Sequence, residues 1–134
     1  MLESISTIQV RYCETDQMGI VNNANYPIYY ELGRTEWLKE IGMSYKQLEA
    51  EGIMMPVIDL YSKYYRPAHF EDTLTIKTLV KEMPTSKIRF DHTIHNQEGN
   101  LINEGYCQLA FMRADNRRPT RIPEILKNLL EKYF

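Results

Sequence analysis

The sequence predicts an α+β domain in which one long buried helix packs against an antiparallel sheet. A strand-like segment and an apolar helix-like segment come first, and four strand-like segments separated by short turns follow. Strands joined by tight turns pair antiparallel, and a single buried helix on such a sheet is a layered α+β architecture. The 134 residues are 43% hydrophobic and 25% charged, which fits one domain over residues 1–134.

Charge and composition exclude several classes of function. Sixteen basic against eighteen acidic residues give a formal charge of -2, which is unfavourable for binding nucleic acid or an anionic membrane surface. No apolar run reaches the ~18–20 residues of a membrane helix. The start of the chain, MLESISTIQVRY, lacks the features of a signal peptide, so we expect a cytoplasmic protein. Cys13 and Cys107 form no disulfide framework, and neither a metal-site spacing nor a dinucleotide fingerprint is present, so we expect no metal and no cofactor.

The first two elements follow from hydrophobic periodicity. Alternation predicts a half-buried strand over residues 5–12, and Asp, Gly and Asn then predict a loop over residues 13–23. A helix is predicted over residues 24–41, with Asn23 or Asn25 as its cap and Gly42 as its stop. Its apolar stripe comprises Tyr26, Tyr29, Tyr30, Gly33, Trp37 and Ile41, widened by Ile28, Leu32 and Leu38.

Two residues of this helix predict specific contacts. Gly33 costs about 1 kcal/mol relative to Ala in a helix, which indicates close packing of the backbone against a sheet. Glu31 and Arg34 have the i, i+3 spacing of an ion pair.

The rest of the chain predicts a short helix, four strands and a final helix. Pro56 weakens the start of the first of these strands, and Gly99 suits a hairpin turn over residues 97–100. The predicted helices are 44–51 and 124–133, and the predicted strands are 53–66, 73–82, 86–96 and 101–113. One helix covers only part of such a sheet, so we expect the remaining apolar surface to be buried in an oligomer.

The segment that carries chemistry is the loop before the long helix. A helix N-terminus has free N–H groups and a partial positive charge, which can hold a developing oxyanion. Asp16, seven residues before Asn23, could act on a carbonyl bound there, and this pattern favours acyl transfer or hydrolysis. The alternative is that these residues only build turns and helix caps.

Residues 12–38 resemble the signature of the 4-hydroxybenzoyl-CoA thioesterase-like family, the acyl-CoA thioesterases of the hotdog fold. The matching positions are Tyr12, Thr15, Asp16, Gly19, Ile20, Val21 and Tyr26, followed by Glu31 and Arg34. The similarity continues through YYRPAHFEDTLTI at 64–76 and through the RRPTRIP segment before the last helix. It therefore spans nearly the whole chain.

The resemblance implies a hotdog fold, in which an antiparallel sheet wraps around a long central helix. It implies hydrolysis of an acyl-CoA thioester to a carboxylic acid and free CoA. Asp16 would be the general base or the nucleophile, the N–H near Asn23 would polarise the carbonyl, and Gly19 would permit the tight loop. The substrate would contact Tyr26, Asn22 and Val21. Many members carry Tyr-His where this chain has Asn22-Asn23, so Asp16 is expected to act without a histidine partner.

The resemblance also implies a homodimer or homotetramer with the active site at the subunit interface. Arg118, in the basic cluster with Arg117 and Arg121, is the first candidate for contacts with the CoA phosphates, although a solvated charge run would look the same. Two other functions stay open at this point. One is a thioesterase acting on acyl carrier protein, and the other is a non-catalytic module that binds acyl groups.

Overall fold

A computed structural model describes all 134 residues and confirms the predicted α+β architecture. A sheet of five antiparallel strands holds a long helix against one face. The strands are β1 (Leu2–Gln9), β2 (Ile53–Met54), β3 (Val57–Tyr64), β4 (Thr73–Val80), β5 (Lys87–His95), β6 (Leu101–Ala110) and β7 (Met112–Arg113). The helices are α1 (Tyr26–Glu40), α2 (Tyr45–Ala50) and α3 (Glu124–Leu130). None of them is both long and apolar enough to cross a membrane.

The strand order is β1-β4-β5-β6-β3, and this corrects one expectation. The sequence suggested that β3 pairs with β4, because the two follow each other in the chain. The neighbouring positions on either side of β4 are instead filled by β1 and β5. The chain therefore crosses the sheet between Tyr64 and Thr73, and β3 pairs with β6 from Val57↔Leu109 to Tyr64↔Asn103.

Proline explains a second difference between the predicted and observed elements. The segment predicted as one strand over 53–66 is split at Pro56, which has no N–H to donate to a ladder. The short piece before it, β2, pairs with β7 in a separate two-stranded sheet. Ser44 caps α2 by accepting a hydrogen bond from the Gln47 N–H at 3.1 Å, as its position predicts.

Helix α1 packs very closely on the sheet, as Gly33 predicts. A Cβ atom at Gly33 would lie 2.3 Å from Thr78 Oγ1 and 3.1 Å from Ile76 Cγ2. Farther along the helix, Trp37 meets Phe90 edge to face, with 5.2 Å between ring centroids. Only a residue without a side chain allows the helix backbone to come this close to β4.

A buried polar layer lies between α1 and the central strands. His92 is buried, its ring stacks on Tyr30 with 4.5 Å between centroids, and its Nδ1 lies 3.1 Å from Thr78 Oγ1. Arg34 is buried beneath the helix and donates to Cys107 Sγ at 3.2 Å. The expected ion pair of Arg34 with Glu31 is absent, because Glu31 is exposed while Arg34 faces the sheet.

The outer surface of α1 differs from the prediction. Ile28 and Leu32 were expected to widen the buried stripe, yet they are 49% and 42% exposed. With about 100° per residue, both project from the side of α1 that faces away from the buried stripe of Tyr30, Gly33 and Trp37.

Candidate active site

Asp16 lies in a hairpin that closes just before helix α1. The Asp16 N–H donates to the Ile20 carbonyl at 2.9 Å, and the Gly19 N–H donates to the Asp16 carbonyl at 3.0 Å. Gly19 has a φ of 75°, a left-handed conformation that glycine adopts without strain. The Asp16 carboxylate accepts the Met18 N–H at 2.8 Å on one oxygen. No ion pair engages this carboxylate, and its second oxygen has no hydrogen-bond partner in the protein.

The base of the hairpin is fixed by Glu14, a buried carboxylate. It accepts hydrogen bonds from the backbone and guanidinium of Arg11 and from the Tyr29 hydroxyl. Burial tends to raise the pKa of Glu14, but these hydrogen bonds outweigh it and hold the pKa below its ordinary value. Glu14 is therefore a structural acid, in contrast to the more accessible Asp16.

The start of the helix leaves one backbone donor free. A 3₁₀ turn over Asn23–Asn25 leads directly into α1, and Asn22 caps it by accepting the Ala24 N–H at 2.9 Å. The N–H groups of Asn22 and Asn25 donate to the carbonyls of Glu14 and Asn22. The Asn23 N–H has no acceptor in the protein. It is thus available to an oxygen atom of a ligand, at the positive end of the helix.

These groups converge on a cleft of about 610 Å³. Six of the residues singled out from the sequence line it, namely Asp16, Ile20, Val21, Asn22, Asn23 and Tyr26. The opposite wall comes from the start of the β3–β4 connection, through Tyr64, Tyr65, Arg66 and Pro67. The cleft therefore combines a carboxylate, a free N–H and aromatic walls.

Aromatic packing shapes the wall of the cleft at the start of α1. Tyr26 meets Tyr64 edge to face, with 5.2 Å between ring centroids, and it meets Tyr29 in the same way at 5.6 Å. Burial raises the pKa of Tyr26 to about 12, with a smaller contribution from Tyr64. Tyr26 is therefore a neutral wall residue at physiological pH.

Two predicted site residues lie outside the cleft. Gly19 stands at the turn of the hairpin and shapes the loop without lining the cavity. Arg118 follows β7, where its N–H donates to the Asn116 side chain, and it does not line the cleft of its own chain.

The residues that sequence reasoning did not assign to the site are those of the β3–β4 connection. The run Tyr64-Tyr65-Arg66-Pro67 was noted as part of the family resemblance, and Arg66 was one of several basic residues considered for the CoA phosphates, after the cluster that contains Arg118. Arg66 is the only cationic side chain lining the cleft, and it forms no ion pair. None of the three histidines lines the cleft: His92 is in the core, His95 is on β5, and the His69 ring faces Asp72 at 3.7 Å.

Comparisons with known proteins identify the family of the chain. Residues 10–130 match the model of the thioesterase-like superfamily. The chain is 39% identical over 94 residues to YneP of Bacillus subtilis, a candidate acyl-CoA thioesterase, covering 70% of this chain and 68% of that protein. It is 32% identical over 117 residues to the acyl-CoA thioester hydrolase YbgC of Escherichia coli, covering 87% of each.

A solved structure gives the same fold. The DHNA-CoA thioesterase of Staphylococcus aureus superimposes with a TM-score of 0.92 at 30% identity, covering 99% of this chain and 89% of that one. The predicted hotdog fold is thereby confirmed, and so is the predicted class of enzyme, a thioester hydrolase. The chain belongs to the thioesterase-like superfamily.

Proposed function

We propose that this protein hydrolyses acyl-CoA thioesters in the cleft between Asp16 and the start of α1. The observation that carries the proposal is the presence in one cleft of a carboxylate with a free oxygen and a backbone N–H without an acceptor. The substrate class is supported by two relatives, YneP and YbgC, whose names refer to acyl-CoA thioesters. Residues 1–134 would form one catalytic domain, because the buried apolar residues form a single cluster. The cytoplasmic location stays a prediction.

In the proposed reaction, the thioester carbonyl oxygen accepts the Asn23 N–H and water attacks the carbonyl carbon. Asp16 takes the proton from that water as the C–O bond forms, and the oxyanion is stabilised at the positive end of α1. The C–S bond then breaks, the thiolate of CoA takes up a proton, and the carboxylic acid is released. No histidine takes part, because none lines the cleft.

Asp16 could instead attack the carbon directly and form an anhydride that water then cleaves. A single turnover in ¹⁸O-labelled water reveals the anhydride route when water cleaves the anhydride at the Asp16 carbonyl. The first acid released then carries an unlabelled oxygen from Asp16 and the label enters Asp16, whereas direct attack by water on the thioester labels the first acid.

We infer that the working enzyme is at least a dimer, formed through β3. This strand is an edge of the sheet, and Val57, Ile58, Leu60, Tyr61 and Tyr64 are each 40–50% exposed. An apolar edge with unpaired backbone groups is suited to pair with another chain. Tyr64 belongs both to this edge and to the cleft, so a partner docked here would cover the open side of the site.

The test of the proposed function is a thiol-release assay over short, long and aromatic acyl-CoA substrates. We expect turnover of at least one class, and binding of acyl-CoA without turnover of any would favour the non-catalytic module. Matched acyl-CoA and acyl carrier protein substrates then decide between carriers through the ratio of kcat/KM. Arg66, the free cation of the cleft, would favour either anionic carrier, so only this ratio separates them.

A further inference from the structure

We propose that Glu14 and Tyr29 are positioning residues that fix the Asp16 hairpin to helix α1 and so set the distance between the carboxylate and the Asn23 N–H. This inference rests on the proposed function, because it gives Glu14 and Tyr29 no contact with substrate. Neither residue lines the cleft. Their effect on the reaction would pass through Asp16.

The side chain of Glu14 binds two elements at once. Its Oε1 accepts the Tyr29 hydroxyl of α1 at 3.0 Å and the Arg11 N–H at 2.8 Å. Its Oε2 accepts Nε and Nη2 of Arg11 at 3.1 and 2.9 Å. One carboxylate therefore joins the segment after β1 to the first turns of the central helix.

The backbone of Glu14 completes the connection. Its carbonyl accepts the Asn22 N–H and the Asn25 side-chain amide, each at 2.9 Å. Glu14 lies two residues before Asp16, and Asn22 lies one residue before Asn23. The proposed base, Asp16, and the proposed oxyanion donor, Asn23, therefore each lie within two residues along the chain of Glu14 or of its hydrogen-bond partner Asn22.

The chemistry of this contact favours a positioning role over simple stabilisation. Burying a carboxylate costs free energy that apolar packing would avoid. Apolar residues would therefore stabilise this loop more effectively than Glu14 does, if stability were the only requirement. Directional hydrogen bonds, unlike apolar contacts, fix position and orientation. Precision is what the reaction needs, because a misplacement of about 1 Å can cost about 10²-fold in rate.

The first test is Tyr29→Phe, which removes one hydroxyl from a buried ring that otherwise keeps its packing. We expect kcat to fall about 10- to 100-fold while KM changes less than about twofold, because orientation is lost and binding is retained. Thr35→Ala is the control on the same helix. It also removes one hydroxyl hydrogen bond, of 2.9 Å to the Glu31 carbonyl, but this bond lies on the outer side of α1, away from the cleft and from β3. Its kcat should equal that of the wild type.

The second test separates positioning from loss of stability. Glu14→Gln keeps an oxygen for Tyr29 and the Arg11 N–H, so it should retain most of the wild-type kcat, whereas Glu14→Ala should lose at least as much as Tyr29→Phe. Equal kcat in the Gln and Ala variants would overturn the proposal, and this comparison decides the matter if Tyr29→Phe does not fold.

The third test places Tyr29→Phe in an Asp16→Asn background. If Tyr29 acts through Asp16, the substitution should not lower the residual rate further. A wild-type kcat in Tyr29→Phe, or the same fold loss in both backgrounds, would contradict the positioning role. An unchanged rate in Asp16→Asn alone would instead refute the catalytic role of Asp16 in the proposed function, and the positioning role with it, while absence of turnover of any acyl-CoA by the wild type would refute the proposed function itself.

Discussion

The two edge strands of the sheet, β1 and β3, differ in how many large apolar side chains they expose to solvent. At one edge, β1 presents mainly polar residues, and Ile5 is its one exposed large apolar side chain. At the other edge, β3 presents apolar and aromatic residues along its length. Natural edge strands are usually protected by charge or shortness. The difference supports the proposal that the sheet ends at β1 and would continue into a partner at β3.

The cleft lies beside the β3 edge. Its hairpin wall is held by many hydrogen bonds within the chain, whereas its opposite wall includes Tyr64 at the end of the exposed strand. In the proposed enzyme, one chain would therefore supply the reacting groups, and a neighbouring chain would enclose the site.

The largest expected effect comes from placing a charge on the β3 edge. Leu60 pairs with the buried Cys107, so its side chain lies on the helix side of the sheet, where we expect the partner. Leu60→Lys should weaken self-association about 100-fold or more, because it would bury an unpaired ammonium group. Sedimentation equilibrium measures this, with Ile5→Lys on β1 as the matched control. Equal association of both variants and the wild type would show that the edges do not differ in this way.

The second prediction concerns the centre of the sheet, where Gly33 of α1 packs on β4. Gly33→Ala should lower the free energy of unfolding by about 1–3 kcal/mol, because the new methyl group overlaps Thr78 and this cost exceeds the gain in helix propensity. Thr35→Ala, on an outer part of α1, should cost much less. Urea unfolding of the two variants gives the comparison. A stability above that of the wild type for Gly33→Ala would contradict the close packing described above.

A smaller effect concerns pH. Burial, and next the charge of Arg34, lower the pKa of His92 to about 3. The unfolded chain takes up a proton below pH ~6.5 and the folded chain does not, so this group removes stability as the pH falls from about 6.5 towards 3. Between pH 7 and 5 the loss should be about 2 kcal/mol, and His92→Gln should lack it. Urea midpoints at both pH values measure the difference, and identical pH dependence in the two proteins would exclude His92 as its source.

The sequence predicted the hairpin wall of the cleft well, because that wall is local. Asp16 and Asn23 are close along the chain, and glycine, capping asparagines and a buried helix place them together. The opposite wall depends on the crossing of the chain between β3 and β4, which no local pattern reveals. Ile28 and Leu32 were wrongly assigned to the core because they are apolar, although their helical positions lie off the stripe that contains Tyr30, Gly33 and Trp37. The burial of Glu14 was missed, since nothing in its sequence context separates a buried acid from an exposed one.

The most direct measurement is kcat of Asp16→Asn with an acyl-CoA that the wild type hydrolyses. The amide keeps the acceptor oxygen for Met18 but cannot take a proton from water, so kcat should fall about 10²- to 10⁴-fold with folding unchanged. Asp115→Asn, an exposed aspartate paired with Arg113 away from the cleft, is the matched control and should keep the wild-type rate. A wild-type kcat in Asp16→Asn would contradict the assignment of the reaction to this carboxylate.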